Sequence, residues 1–287
     1  MSDRTTPGLD RRTELRDFLR SRRARIRPED AGVPSYGRRR VPGLRREELA
    51  QLAGVSYAYY ARLEQGYGET MSAEVLDAVA RALRLNAEER GHLIRLAQPE
   101  RQSTIPAASA SLRPSVQHLL DALGVPAYVV SRRLDILGWN RLAAAVFGDW
   151  GRLAPEERNV ARLIFLSPEA RERFADPHRT ALDIAGVLRV NAAKSPEDPH
   201  LSTLIQDLSQ QSEDFRQLWA QHEVICGGSG DVVRMRHPVV GEFDLVHEPM
   251  ALPGGAPMRL ATYHAEPGSQ SEKALRMLAD QETQPPR

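Results

Sequence analysis

Cysteine is almost missing from this chain. A single thiol, Cys226, among 287 residues excludes an internal disulfide and any cysteine-rich zinc site. With no basic cluster beside it in sequence, it reads as a packed thiol rather than a redox sensor. Lysine is scarce as well, since all but Lys194 and Lys273 of the 39 cationic side chains are arginine. No apolar run approaches the ~18 residues of a membrane-spanning helix. The opening MSDRTTPGLDRRTELRD lacks the apolar core of a secretory leader, so the expected location is cytoplasmic, with no membrane partner. A Gly-x-Ser-x-Gly elbow, a phosphate-cradling glycine loop and HxxxH or HxH spacings are all missing. His222, His237 and His247 therefore read as structural histidines rather than metal ligands. Gly227, Gly228 and Gly230 precede a strand, which makes them a turn. Neither an enzyme nor a resident cofactor is expected.

What is present is unevenly charged. The net charge is only +1, yet residues 1–50 hold 14 arginines against 8 acids, with runs RRARIR (22–27) and RRR (38–40). A basic head on a slightly acidic body points to a polyanion partner for the head alone. The length suits two modest domains, and the 41% hydrophobic content suits a globular chain.

The chain divides at QPERQSTIPAASASLRP (98–114), whose three prolines and small polar residues are linker composition. We place a helical head at 1–97 and a second domain at 115–287. In the head, Leu15, Phe18, Leu19 and Ile26 recur at helical spacing over 11–26, and residues 27–43 read as loop. In the second domain, AYVV (127–130) and DILGWN (135–140) look like a strand pair, and 141–222 reads as several helices. Strands at 231–238, 241–252 and 258–266 follow, then a helix at 271–280. Two strands, a helical middle and three more strands suit an α+β fold: a five-stranded antiparallel sheet with a pocket under its helices, as in PAS-like sensors.

The head carries the sharpest motif. LRREELAQLA (44–53) is a short helix, Gly54 can end it, Val55 can plug the corner, and Ser56 is placed to cap a helix over 57–65 that Gly66 stops. Glu48, Leu49, Ala50, Ala53, Gly54, Val55, Ser56, Tyr59, Arg62, Leu63, Glu64 and Gly66 resemble the helix-turn-helix of lambda-repressor-like, XRE-type DNA-binding domains. Residues 72–85 and 86–97 then supply the last two of five helices, so the resemblance implies an all-α head. A recognition helix offers its first side chains to base edges in the major groove. Those are Tyr57, Ala58 and, one turn on, Arg62, which suits guanine while Ala58 suits a thymine methyl. The alternative for Arg62 is a pair with Glu64 or a solvated side chain. Tyr60 shares the core face with Leu63 and reads as packing; Tyr59 lies at the edge, within reach of a phosphate. The resemblance makes Arg46 a phosphate contact. Arg38, Arg39 and Arg40 either reach phosphates or a minor groove, or form a solvated run. Such modules read two half-sites, so a homodimer on double-stranded operator DNA is expected.

The second domain has matching pieces too. ILGWN (136–140), RNVARLIFL (158–166), residues 187–224, HPVVGEFDL (237–245) and YHAEPGSQSEKALRML (263–278) resemble the ligand-binding domain of MmyB-like transcription regulators. That implies control of DNA binding by a small molecule, with a fatty-acid-like ligand as the first expectation. Trp139, Asn140, Arg162, Phe165, Arg189, Phe215, Trp219, His222 and Tyr263 are the candidate ligand contacts. The aromatic ones can equally be core. Arg162 and Arg189, inside apolar stretches, need either a ligand anion or a structural carboxylate. The sequence thus reads as a sequence-specific transcription regulator sensing an apolar or amphipathic ligand. The other reading is a ligand-carrying or protein-docking module whose head contacts protein.

Overall fold

A computed structural model describes residues 10–33, 43–69, 71–98, 112–196, 198–223, 230–253 and 257–283. Cys226 and Arg38, Arg39 and Arg40 lie outside these residues. Two compact units emerge. Unit 1 is Met1–Ser103 with Arg189–Thr203 and Leu218–Ile225; unit 2 is Thr104–Leu188 with Leu204–Gln217 and Cys226–Arg287.

Unit 1 contains the five expected head helices: α1 (Arg11–Arg25), α2 (Arg46–Ala53), α3 (Tyr57–Glu64), α4 (Ala73–Ala82) and α5 (Ala87–Ala97). Side chains at their starts take up the unpaired N–H groups of the first turns. Asp10 accepts from the Arg12 N–H, Ser56 from that of Tyr59, and Ser72 from that of Val75. At α5, Asn86 and Glu89 cap one another's backbone in a reciprocal box. Leu15, Phe18 and Leu19 of α1 are fully or almost fully buried, as are Leu49, Tyr60, Leu63, Leu76, Val79, Leu93 and Leu96 from the other four helices. Two glycines are required by the path. Gly54 ends α2 with φ 67°, a left-handed turn open to glycine. Gly66, at φ 97°, lies where a Cβ would sit 2.7 Å from the Arg12 carbonyl oxygen.

Unit 2 is built on one antiparallel sheet of β1 (Ala127–Ser131), β2 (Ile136–Trp139), β3 (Asp231–His237), β4 (Gly241–Leu252) and β5 (Met258–His264), in the order β2-β1-β5-β4-β3. Four of the strands fall within the stretches read as strands, β1 runs one residue past its stretch to Ser131, and the sheet is the expected five-stranded antiparallel one. The helices are α6 (Pro114–Ala122), α7 (Arg141–Phe147), α8 (Val160–Leu166), α9 (Pro168–Glu172), α10 (Pro177–Lys194), α11 (Pro199–Gln211), α12 (Glu213–Ala220) and α13 (Gln270–Thr283), of which α10, α11 and α12 have residues in both units. Alternation splits the sheet into two faces. Ala127, Val129 and Leu260 point one way and pack with Val116 and Leu120 of α6. Tyr128, Val130, Arg259, Ala261, Tyr263, His247 and Pro249 are on the other face, as the cross-strand register requires. Helix α13 packs on α7 and β4.

Candidate DNA-reading face and ligand cavity

In the head, α2, the Gly54 turn and α3 form the helix-turn-helix. The three tyrosines of SYAYYAR separate cleanly. Tyr60 is fully buried, Tyr57 is 54% exposed, and Tyr59 is half-buried. Ala58 and Arg62 are exposed with Tyr57, so the first turn of α3 and the next present free side chains. Ser56 is exposed and its hydroxyl accepts the Tyr59 N–H at 3.2 Å. The carboxylate that might have neutralised Arg62 is engaged elsewhere: Glu64 is buried and bonded to Arg23 and Arg46. Burial raises the Glu64 pKa, but the Arg23 bonds and charge outweigh it and hold the group below its ordinary value. Arg62 instead has its guanidinium 5.9 Å from the Tyr67 ring centroid. Arg46, at the start of α2, gives its Nε to Glu64 at 2.8 Å and remains 40% exposed.

In unit 2 the second sheet face floors a cavity of about 480 Å³, within the ~300–1,000 Å³ usual for small-molecule sites. Tyr128, Val130, Ala261 and Tyr263 supply the floor, and Val160 and Ile164 of α8, with Leu134 and Phe174, add apolar wall. Helix α10 and the residue before it contribute Asp176, Arg179, Thr180, Asp183, Ile184 and Val187. Those positions recur every three to four residues, so one helix face roofs the site. Charge gathers among the lining residues as Asp176, Arg179, Asp183, Asp231, Arg234 and Arg259. Arg179 pairs with Asp183 and Arg234 with Asp244, while exposed Arg259 makes no ion pair among the described residues. His247 stacks on Tyr263 at 4.7 Å, and burial lowers its pKa, favouring the neutral ring.

Of the nine residues singled out for ligand contact, Tyr263 lines this cavity and the other eight do not. Asn140 is buried and joins backbone to backbone. Its Oδ1 accepts from the Ala127 and Ala143 N–H groups, and its Nδ2 donates to the carbonyls of Leu120, Leu123 and Val125. Trp139 sits edge-on to Trp150 with Arg158 over its ring. Phe165 and Phe215 pack edge to face at 4.9 Å. Arg162 is paired with Asp207 at 2.7 Å, the protein carboxylate its surroundings call for. Arg189, Trp219 and His222 come together in unit 1: Arg189 is ion-paired with Glu14, donates to the Trp219 carbonyl and lies 3.0 Å from His222 Nδ1, with its guanidinium 4.1 Å from the Trp219 ring centroid. The α10 face was missed, although Ile184 and Val187 beside Thr180 and Asp183 carry the periodic signal of a helix with one apolar flank.

Two family models match the chain along its length. A helix-turn-helix domain matches residues 14–93, and the MmyB-like transcription regulator ligand binding domain matches residues 112–278. The chain belongs to the MmyB-like transcription regulators. The match of the second model contains every cavity-lining residue. An MmyB-like regulator joins a DNA-binding head to a ligand-binding domain, so this chain is a ligand-responsive transcription regulator. Neither match is to an enzyme family. Comparison with curated proteins finds no match. Among the described residues, no helix is long and apolar enough to cross a membrane.

Proposed function

We propose that the chain is an operator-specific, homodimeric regulator that holds a fatty-acid-like amphipathic molecule in the cavity over its sheet. The observation that carries this reading is the division of that cavity into a tyrosine- and aliphatic-lined interior and a charged lining supplied largely by arginines and aspartates. An apolar body gains by leaving water for the interior, and an anionic head suits Arg259, which has no carboxylate partner among the described residues. The exposed Tyr57, Ala58 and Arg62 support DNA reading by α3 over a head used for protein docking, because a groove-reading helix needs free side chains in its first turns.

Ligand can alter DNA affinity only by binding two conformations unequally. Helix α10 offers a covalent route for such a bias. Its first turns line the cavity, and the same unbroken helix continues through Leu188 and Arg189, where the chain passes from unit 2 to unit 1. Native mass spectrometry of the protein purified from its own host tests the reading. A retained amphipathic molecule is expected, and Val187→Trp, which fills the cavity, should abolish retention while leaving ligand-free operator binding intact. Equal retention by the variant would sink the proposal.

A further inference from the structure

The two tyrosines on the cavity floor have more hydrogen-bond donors than they use. Tyr128 of β1 and Tyr263 of β5 stack with ring centroids 5.8 Å apart, and their hydroxyls meet at 2.9 Å. Two phenols carry two O–H donors, and their mutual bond employs one. The second has no acceptor among the described residues: neither tyrosine hydroxyl has another hydrogen bond, in a structure where most buried polar groups find one. Phe147 lies edge-on to Tyr263 at 4.9 Å and Trp150 edge-on to Tyr128 at 5.2 Å, and neither side chain accepts a conventional hydrogen bond. His247 stacks on Tyr263 ring to ring at 4.7 Å, and no hydrogen bond joins it to either hydroxyl. Burial raises the pKa of both phenols, so both protons stay on at neutral pH.

We propose that the Tyr128–Tyr263 pair is a polar anchor inside the cavity, and that it selects a ligand bearing an uncharged carbonyl oxygen at its buried end. One hydroxyl donates to the other, which donates to the carbonyl, and each bond polarises the next. A carboxylate is disfavoured at this depth because the pair supplies no positive charge to offset its desolvation. Charged heads belong among the arginines and aspartates of the lining, so an amphipathic ligand here is polar at both ends. This inference rests on the cavity being the ligand site.

The test uses the full chain and two probes, methyl heptyl ketone and its isostere with CH2 in place of the carbonyl oxygen. Each is titrated by displacement of a fluorescent apolar dye, from the natural protein and from the Tyr128→Phe/Tyr263→Phe double variant. The double variant should bind the ketone roughly five- to tenfold more weakly, the loss of one buried hydrogen bond, with binding of the isostere unchanged. If both probes bind and the variant shifts them equally, or shifts neither, the anchor is overturned while the cavity reading stands. If neither probe binds the folded natural protein, the cavity reading fails and the anchor falls with it. Infrared spectroscopy of isotope-labelled ketone on the natural protein needs no variant. Its carbonyl stretch should lie below the value in hexane, and a hexane-like frequency overturns the anchor.

Discussion

Glu64, the last residue of α3, receives two hydrogen bonds of 2.9 Å from the guanidinium of Arg23 on α1. Arg46 on α2 adds a third at 2.8 Å. Helix α3 is thereby fixed at its C-terminal end to the two helices it packs on, and the forked geometry sets angle as well as distance. Glu64 has no exposed side-chain surface and Arg23 only 12%. Glu64→Ala strands a buried guanidinium, which costs about 3–5 kcal/mol. The expected outcome is a lower melting temperature for the head and loss of operator binding, read by calorimetry and fluorescence anisotropy. An unchanged melting temperature would refute the role given to this pair.

The roles proposed for Arg62 and Arg46, base reading and phosphate contact, are separable by mutation. Arg62→Ala should relax preference at one base pair in each half-site, a change worth ~1–3 kcal/mol in discrimination. Arg46→Ala should weaken all sequences alike and reduce the salt slope by about one, because its side chain remains 40% exposed while Nε holds Glu64. Binding to a panel of substituted operators at several salt concentrations distinguishes the two. If Arg62→Ala leaves both affinity and preference untouched, α3 does not read bases as assigned.

Much of this fold can be read from local pattern, and the parts that cannot share a cause. The strands alternate and are bounded by turn residues, and the Gly54 turn with its Ser56 cap is specified within a few residues. Helix α6 escaped because Pro114, its first residue, also closes a proline-rich stretch, and proline suits both a linker and the first turn of a helix. The cavity is harder, because it depends on which faces meet. Arg162 and Arg189 were singled out correctly as needing partners, but Asp207 lies 45 residues from one and Glu14 lies 175 from the other. Only the folded chain supplies those pairings. Asn140 shows the opposite trap: a polar residue beside an aromatic, with every hydrogen bond going to backbone.

Arg189 now has a definite expectation. It is 2% exposed, with Glu14 as its ion-pair partner and the Trp219 ring beneath its guanidinium. Arg189→Leu leaves Glu14 in unit 1 without its main counter-charge and should destabilise the protein by about 3–5 kcal/mol. The double variant Arg189→Leu/Glu14→Leu removes both charges and should recover most of that loss. Chemical denaturation of the four proteins gives the coupling directly. Additive effects of the two changes would rule out the pair as an energetic unit.

His92 makes acid sensitivity the last expectation. Its ring is fully buried against Phe18, edge-on at 5.0 Å, and neither nitrogen has a hydrogen-bond partner among the described residues. Burial drives its pKa from 6.5 down to about 3, with Arg189, Arg95 and Arg22 acting in the same direction and Glu14 opposing. The unfolded chain therefore takes up a proton below about pH 6.5 that the folded head refuses. Stability contributed by the neutral ring is present above that pH and falls as the pH drops towards 3, with a limiting slope of ~1.4 kcal/mol per pH unit. Glu14 adds a second window. Burial raises its pKa, but its bond to His222 and the Arg189 charge outweigh this and hold it at about 2 against an ordinary 4.5, so its share is lost from about pH 4.5 downwards. Between pH 6.5 and 4.5 the histidine is the steeper contributor of the two. His92→Phe keeps an aromatic ring against Phe18 and removes two unsatisfied nitrogens, so stability at pH 7 should hold or rise. The variant's denaturation midpoint should then decline less steeply from pH 6.5 to 4.5 than that of the natural protein, its remaining slope coming from His237 and His247, whose pKa values burial also lowers. Parallel declines would mean that the buried imidazole does not set the acid limit of the head.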